Sequence, residues 1–123
     1  MLNESMALRN YAYLGDAVWE IFVREYVILK TSSSKMLHKL TTDRVNAVAQ
    51  KDLLEFITPD LTEDEAELVR RARNLSIPVA RRSIQHDYRL STAFETLVGY
   101  WFLHDKSRLE FFYDKFKHLE LFS

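Results

Sequence analysis

The stretch Tyr13-Leu14-Gly15-Asp16-Ala17-Val18-Trp19-Glu20 places a carboxylate directly after a glycine within an apolar segment. Apolar residues recur around it at helical spacing, and this predicts a helix from near Ser5 to about Leu29. Asp16 lies roughly 200° around the helix axis from Leu14, on a second face that is also largely apolar. We therefore predict that this helix packs between two layers. A carboxylate buried there must be paired, hydrogen-bonded or bound to a metal.

The rest of the chain also shows helical periodicity. One example is the apolar stripe predicted for the helix after Asp43, formed by Val45, Val48, Ala49, Leu53 and Phe56. No stretch alternates with period two, and the 123 residues contain only 2 Gly and 2 Pro. The fold class is therefore predicted to be all-α, a compact bundle of five to six or more helices, with residues 1–123 as a single domain. Further helix starts are predicted at Ser33 or Ser34, at Asp43, at Thr62 with Glu65 as a capping box, near Ser91 or Thr92, and at about Lys106.

Composition excludes several classes of protein. With 0 Cys there are no disulfides and no thiolate metal sites, which fits a reducing cytosol. The N-terminus lacks the pattern of a signal peptide, and no apolar run approaches the roughly 18 residues of a membrane span. A net charge of −1 is not that of a general nucleic-acid binder, so any such role requires local clustering of charge.

Such a cluster lies between Glu67 and Asp87, a segment without an acidic residue. Residues 74–89 lack sustained periodicity and are predicted to be a loop. Two interpretations stay open: a solvated basic loop, or a loop that contacts phosphates, since arginine forks bind phosphate oxygens. The basic residues of the cluster are Arg70, Arg71, Arg73, Arg81 and Arg82.

Asp16 and Glu95 are the two acids that lie within aromatic-rich apolar helices. If facing helices bring them together, they form a hard oxygen site suited to Mg²⁺ or Mn²⁺. Each also has a simpler explanation. Asp16 would cap a helix that starts after Gly15, and Glu95 would complete a capping box with Thr92. The residues alone do not decide between these alternatives.

Two motifs resemble the signatures of the ribonuclease III family, and more closely those of its short form, the Mini-ribonuclease III group. The first is Leu14-Gly15-Asp16-Ala17-Val18, and the second is Phe94-Glu95-Thr96-Leu97-Val98-Gly99-Tyr100. Arg71-Ala72-Arg73-Asn74 and Tyr88-Arg89-Leu90-Ser91-Thr92 are similar to stretches that precede the second motif in the short form. The resemblance covers essentially the whole chain and implies the catalytic-domain fold of that family.

The resemblance implies a metal-dependent endoribonuclease that acts on double-stranded RNA and leaves 5′-phosphate and 3′-hydroxyl ends. Asp16 and Glu95 would be both the catalytic residues and the ligands of Mg²⁺, for which Mn²⁺ can substitute. The five arginines of the basic cluster would contact RNA. The resemblance further implies a cytoplasmic homodimer that matures the 23S ribosomal RNA precursor, with a ribosomal protein as an assisting partner. Because the sequence ends at Ser123, we expect the nuclease domain itself to hold the RNA.

The chain departs from the classical family at three positions that are often acidic. These positions hold Arg9, Ala12 and Thr92. Two carboxylates therefore remain where the classical site has four or more, and the number of metal ions is left open. Two rival functions are a catalytically inactive relative that binds structured RNA, and a helical protein-interaction domain that uses its aromatic last helix.

Overall fold

The computed structural model describes residues 6–75 and 85–123, and every regular element in these ranges is helical. The all-α prediction is therefore confirmed. Two single 3-10 turns, Thr58–Asp60 and Glu120–Phe122, follow the third and sixth helices. The helices are α1 (Leu8–Val27), α2 (Ser34–Val45), α3 (Ala47–Ile57), α4 (Glu63–Arg73), α5 (Gln85–His104) and α6 (Lys106–Lys117).

Helix α5 is the centre of the bundle and contacts α1, α3, α4 and α6. Its residues from Leu90 to Trp101 are buried around nearly the whole circumference. A helix that is apolar on all sides is expected to be surrounded by other elements. Trp19 of α1 joins three helices, because its ring packs against Phe94 of α5 and Phe116 of α6. A side chain on α5 is therefore held by several neighbouring helices.

Helices α1 and α5 approach each other through their backbones at Gly15 and Gly99. A side-chain carbon at Gly15 would overlap the carbonyl oxygen of Glu95, and one at Gly99 would overlap the carbonyl oxygen of Tyr11. Only a residue without a Cβ atom permits this approach. The two glycines therefore set the register in which α1 crosses α5.

Three of the predicted helix starts are confirmed. α6 begins at Lys106, as predicted, and the starts of α2 and α4 are confirmed by their hydrogen bonds. Ser33 caps α2 and accepts a hydrogen bond from the backbone nitrogen of Met36 at 3.3 Å. Thr62 and Glu65 form the predicted capping box of α4. Both caps are local patterns of three or four residues, which is why the sequence is sufficient to identify them.

Two other predicted starts are wrong. Asp43 lies inside α2, and the residue that caps α3 is Asn46, whose side chain accepts from the backbone nitrogen of Ala49 at 2.8 Å. Helix α5 begins at Gln85 rather than near Ser91 or Thr92. The predicted loop at residues 74–89 is therefore helical from Gln85 onward, while residues 76–84 lie outside the described part of the chain.

The buried faces of α1 and α3 also differ from the prediction. Asp16 is exposed, as are Tyr13 (85%) and Ile21 (61%), so α1 buries one face and not two. On α3 the buried stripe contains Leu53 and Ile57 together with a polar residue, Gln50. Periodicity alone gave the wrong face because each helix carries apolar residues on both sides. No helix in the described ranges has the length and apolar character needed to cross a bilayer.

Candidate active site at the crossing of α1 and α5

Asp16 and Glu95 meet where α1 crosses α5. The close backbone approach at Gly15 brings the next residue, Asp16, alongside Glu95, and the two side chains are hydrogen-bonded to each other. Asp16 is exposed to solvent and Glu95 is half-buried. The contact that the metal-site prediction required is therefore present.

Neither simple explanation for these acids applies. Asp16 lies in the middle of α1, where no free helix N-terminus is available for a carboxylate to cap. Glu95 and Thr92 lie well inside α5, and the Thr92 carbonyl accepts a hydrogen bond from the Thr96 hydroxyl at 2.8 Å. The two acids must therefore be explained by their contact with each other.

The electrostatics of the pair favour the protonated form of Glu95. Burial raises the pKa of Glu95, and the charge of Asp16 and the hydrogen bond with Asp16 raise it further, to about 8. A hydrogen bond from Gln50 acts in the opposite direction and lowers the pKa. Two carboxylates in contact resist ionising together, and a cation between them removes that repulsion.

Gln50 and Ser91 complete a buried polar network behind Glu95. The Gln50 amide nitrogen donates to Oε2 of Glu95 at 3.4 Å, and the Ser91 hydroxyl donates to the Gln50 amide oxygen at 2.5 Å. Sequence reasoning missed both residues. A signal was present for Gln50, since it occupies the same helical stripe as Leu53 and Leu54.

The donor set fits a hard divalent cation. Carboxylate oxygens are the ligands that Mg²⁺ prefers, and Mg²⁺ commonly retains waters while it takes one or two protein carboxylates. Within residues 6–75 and 85–123, no group of three or more His, Cys, Asp or Glu side chains is arranged to hold a metal ion. The site offers Asp16 and Glu95, with Thr92 half-buried one turn before Glu95.

A shallow depression of about 600 Å³ adjoins Asp16 on the outer face of α1. Its lining includes the exposed side chains of Tyr13 and Ile21, and also Glu20 and Arg24, which form an ion pair at 2.7 Å. Glu20 is therefore paired along its own helix and is not drawn to Glu95. Such a pair, four positions apart, is typical of an exposed helix surface.

The arginines described in the basic region lie on two helices, α4 and α5. Arg70, Arg71 and Arg73 occupy the last turn of α4. Arg70 is paired with Glu67 one turn away. Arg89 of α5, absent from the predicted RNA-binding set, donates to the carbonyl oxygens of Arg73 and Leu75.

Together with Asn74, three of these arginines, Arg70, Arg73 and Arg89, line a polar depression of about 420 Å³. Arg81 and Arg82, the remaining predicted RNA-contacting residues, lie outside the described residues. The depression and Glu95 share helix α5. Arg89 precedes Glu95 by six positions, or roughly 9 Å along the helix axis.

Comparison with known proteins gives a consistent result. The Ribonuclease III domain family matches residues 9–106. A Mini-ribonuclease 3 from Gloeobacter violaceus is 48% identical over 105 residues, which is 85% of this chain and 78% of that protein. A Mini-ribonuclease 3 from Clostridium tetani is 42% identical over 103 residues, covering 80% of this chain and 68% of that protein.

The fold is also shared with a solved structure. A protein from Fusobacterium nucleatum, determined by X-ray crystallography, superposes with a TM-score of 0.81 at 27% identity. The match covers 92% of this chain and 93% of that chain. From the matching domain and the similarity to Mini-ribonuclease 3 proteins, we conclude that the chain belongs to the ribonuclease III family, among its short members.

Proposed function

We propose that the chain cleaves double-stranded RNA with a divalent cation, preferably Mg²⁺, held by Asp16 and Glu95. As a member of the ribonuclease III family, it is an endoribonuclease acting on RNA. The observation that carries the metal-site proposal is the contact between the Asp16 and Glu95 side chains. Two carboxylates in contact form a site where a bound cation is favoured over two bare charges.

The roles of the two acids follow from their surroundings. Asp16 is exposed and faces the solvent side of the crossing, so it is the group that orients the attacking water toward a phosphodiester. Glu95 is half-buried and fixed from behind by Gln50, so it serves as the rigid ligand. When bound, Mg²⁺ would supply Lewis-acid stabilisation of the phosphoryl charge and lower the pKa of water. Attack of water at phosphorus with cleavage of the P–O3′ bond, in which the 3′ oxygen leaves and takes up a proton, would give 5′-phosphate and 3′-hydroxyl ends.

The basic depression on α4 and α5 is the proposed contact with the RNA backbone. Arginine donors suit phosphate oxygens, and recognition of an A-form duplex depends mainly on its shape and backbone. Arg70, Arg73 and Arg89 line this depression, and Arg71 lies in the same last turn of α4. We propose that Arg81 and Arg82 extend the surface.

We further propose a cytoplasmic homodimer of single catalytic domains, each formed by residues 1–123, that matures the 23S ribosomal RNA precursor. A symmetric dimer presents two equivalent sites to the two antiparallel strands of a duplex. The exposed apolar side chains of Tyr13 and Ile21 beside Asp16 are the proposed contact surface. A ribosomal protein bound to the precursor is the proposed assisting partner.

The decisive experiment is cleavage of a long RNA duplex by the purified protein with Mg²⁺, with Mn²⁺ and with EDTA. The matched variants are Asp16→Asn and, one turn away on the same exposed face, Glu20→Gln. We expect metal-dependent cleavage that Asp16→Asn abolishes and Glu20→Gln retains. Labelling the product ends tests the chemistry, and light scattering tests the dimer.

The negative results are equally specific. Tight duplex binding without cleavage in either cation would overturn the proposal in favour of an RNA-binding module. Equal cleavage in EDTA would overturn the metal site alone. Equal rates on a 23S precursor and on an unrelated duplex would remove the proposed target.

A further inference from the structure

We infer that Gln50, anchored by Ser91, is a positioning residue that orients the Glu95 carboxylate for metal binding and RNA cleavage. The inference rests on the proposed function, because it assigns a role around the same carboxylate. Gln50 belongs to α3, whereas the two acids belong to α1 and α5. The site would therefore be built by three helices rather than two.

The burial of Gln50 is the first argument. Its side chain is 1% exposed and lies on the face of α3 that also buries Leu53, Leu54 and Ile57. Burying an amide without hydrogen bonds is unfavourable, and a leucine would continue this apolar stripe without that cost. The amide needs specific partners, and those partners are Ser91 and Glu95.

The direction of the hydrogen bonds is the second argument. Ser91 is 8% exposed, and its hydroxyl donates to the Gln50 amide oxygen. The Gln50 amide nitrogen therefore points at Oε2 of Glu95. The opposite orientation would aim the amide oxygen at a carboxylate. Ser91 and Glu95 are one turn apart on α5, so Gln50 bridges two successive turns of that helix from the neighbouring one.

The distance is the third argument. The bond from Gln50 to Glu95 is 3.4 Å, longer than the roughly 2.7–2.9 Å typical of hydrogen bonds to an ionised acceptor. The contact therefore has room to shorten when Glu95 acts as a charged ligand. Because the Gln50 amide donates to Oε2 of Glu95, it fixes the orientation of the carboxylate. It thereby sets the direction of the carboxylate lone pairs that are left to bind a metal. Removing a side chain that hydrogen-bonds to a metal ligand typically lowers metal affinity or activity by about 10–100-fold.

The test uses the full chain and Mn²⁺ as the probe. Binding of Mn²⁺ is measured without RNA by electron paramagnetic resonance of the free ion, and kcat and KM are measured on a long duplex. The variants are Gln50→Leu and the double variant Gln50→Leu/Ser91→Ala. The double variant removes both members of a buried polar pair, a change that is often nearly neutral for stability.

The matched control is Thr96→Val, which removes another buried hydroxyl from α5. The Thr96 hydroxyl donates to the Thr92 carbonyl and makes no contact with Gln50 or Glu95 in the described hydrogen-bond network. We expect Gln50→Leu and the double variant to weaken Mn²⁺ binding and lower kcat by about 10-fold or more, with KM for RNA little changed. Thr96→Val should leave Mn²⁺ affinity unchanged.

The alternative results would overturn either the role of Gln50 or the proposed function itself. If the double variant binds Mn²⁺ and turns over as the native protein does, Gln50 is only a structural residue and the inference is overturned. The same conclusion follows if Thr96→Val weakens Mn²⁺ binding as strongly. If the native protein neither binds Mn²⁺ nor cleaves RNA, the proposed function fails and this inference fails with it.

Discussion

Gly15 and Gly99 lie against each other at the crossing of α1 and α5, so that a side-chain carbon on Gly99 would be 3.0 Å from the backbone nitrogen of Gly15. Each glycine also faces a carbonyl group of the opposite helix. This contact determines which side chains meet on either side of it. Asp16 follows one glycine and Glu95 precedes the other by one turn, so the backbone approach creates the carboxylate pair.

Gly15→Ala should therefore destabilise the protein, although alanine has a higher intrinsic helix propensity than glycine. At a solvent-exposed position within a helix, alanine is more favourable than glycine by about 1 kcal/mol. Here the added carbon would overlap the Glu95 carbonyl, so we expect a loss of about 2 kcal/mol or more in the free energy of unfolding, measured in urea. Cleavage should fall as well, because α1 must shift relative to Glu95.

The control is Ala17→Gly, at an exposed position two residues further along α1. It should cost about 1 kcal/mol from propensity alone. If Gly15→Ala instead raised stability by a similar amount, the two helices would not be in backbone contact and the carboxylate pair would lose its structural basis.

A second prediction concerns the pH dependence of stability in the metal-free protein. The pKa of Glu95 is raised from 4.5 to about 8 by burial, by the charge of Asp16 and by the hydrogen bond with Asp16. Between these pH values the folded protein binds more protons at this site than the unfolded chain. The contribution of Glu95 therefore lowers the free energy of unfolding as pH rises through this range, by at most about 1.4 kcal/mol per pH unit.

Thermal unfolding in EDTA from pH 5 to pH 9 measures this slope. Glu95→Gln cannot titrate, so we expect it to be more stable than the native protein near pH 8.5 while it loses cleavage. Glu20→Gln, which alters an acid one turn from Asp16, should keep the native slope. A native profile that is flat or rises over this range would contradict the raised pKa of Glu95.

A third prediction concerns the buried hydrogen bonds that hold the C-terminal part of α5 against α4 and α6. Glu65 of α4 is 5% exposed and accepts hydrogen bonds from the Trp101 ring nitrogen at 2.9 Å and from Arg108 at 2.6 Å. Burial alone would raise the pKa of Glu65, but hydrogen bonds from Arg108, Thr62 and Trp101 outweigh it and lower the pKa. The stabilisation is therefore present above pH 4.5 and is lost as pH falls below that value.

Glu65→Gln should lower the free energy of unfolding at pH 7 by about 2–3 kcal/mol, since it leaves the guanidinium of Arg108 without its buried counter-charge. Glu63→Gln is the control, because Glu63 is an exposed acid in the same first turn of α4. Its expected cost is below about 1 kcal/mol. Similar losses in the two variants would mean that the Glu65 cluster contributes no more than a surface charge.

These residues also show what the sequence could predict. The Thr62 and Glu65 capping box was predictable because all of its partners lie within four positions. The contact between Asp16 and Glu95 was expected only through resemblance to a family, because it depends on how two helices distant in sequence cross at Gly15 and Gly99.

The role of Gln50 was not predicted at all. The apolar residues of α3 lie on two sides of the helix, and periodicity favours the side with Val48 and Phe56, although both are about half exposed. Choosing the correct face requires knowing that α5 passes over Gln50, Leu53 and Ile57. Similarly, the start of α5 at Gln85 precedes its apolar stripe, so periodicity placed it too late.

The final prediction concerns the basic depression formed by Arg70, Arg73, Asn74 and Arg89. If it contacts the RNA backbone, Arg73→Gln should weaken binding of duplexes of any sequence and reduce the slope of log K against log salt concentration by about 1. Fluorescence anisotropy of a labelled duplex in EDTA, over a series of salt concentrations, measures both quantities without cleavage. Lys117→Gln, which removes an exposed cation on α6 outside this depression, should leave the slope unchanged. An unchanged slope for Arg73→Gln, or an equal change for Lys117→Gln, would remove this depression from the RNA interface and leave the segment with Arg81 and Arg82 to be tested by charge reversal.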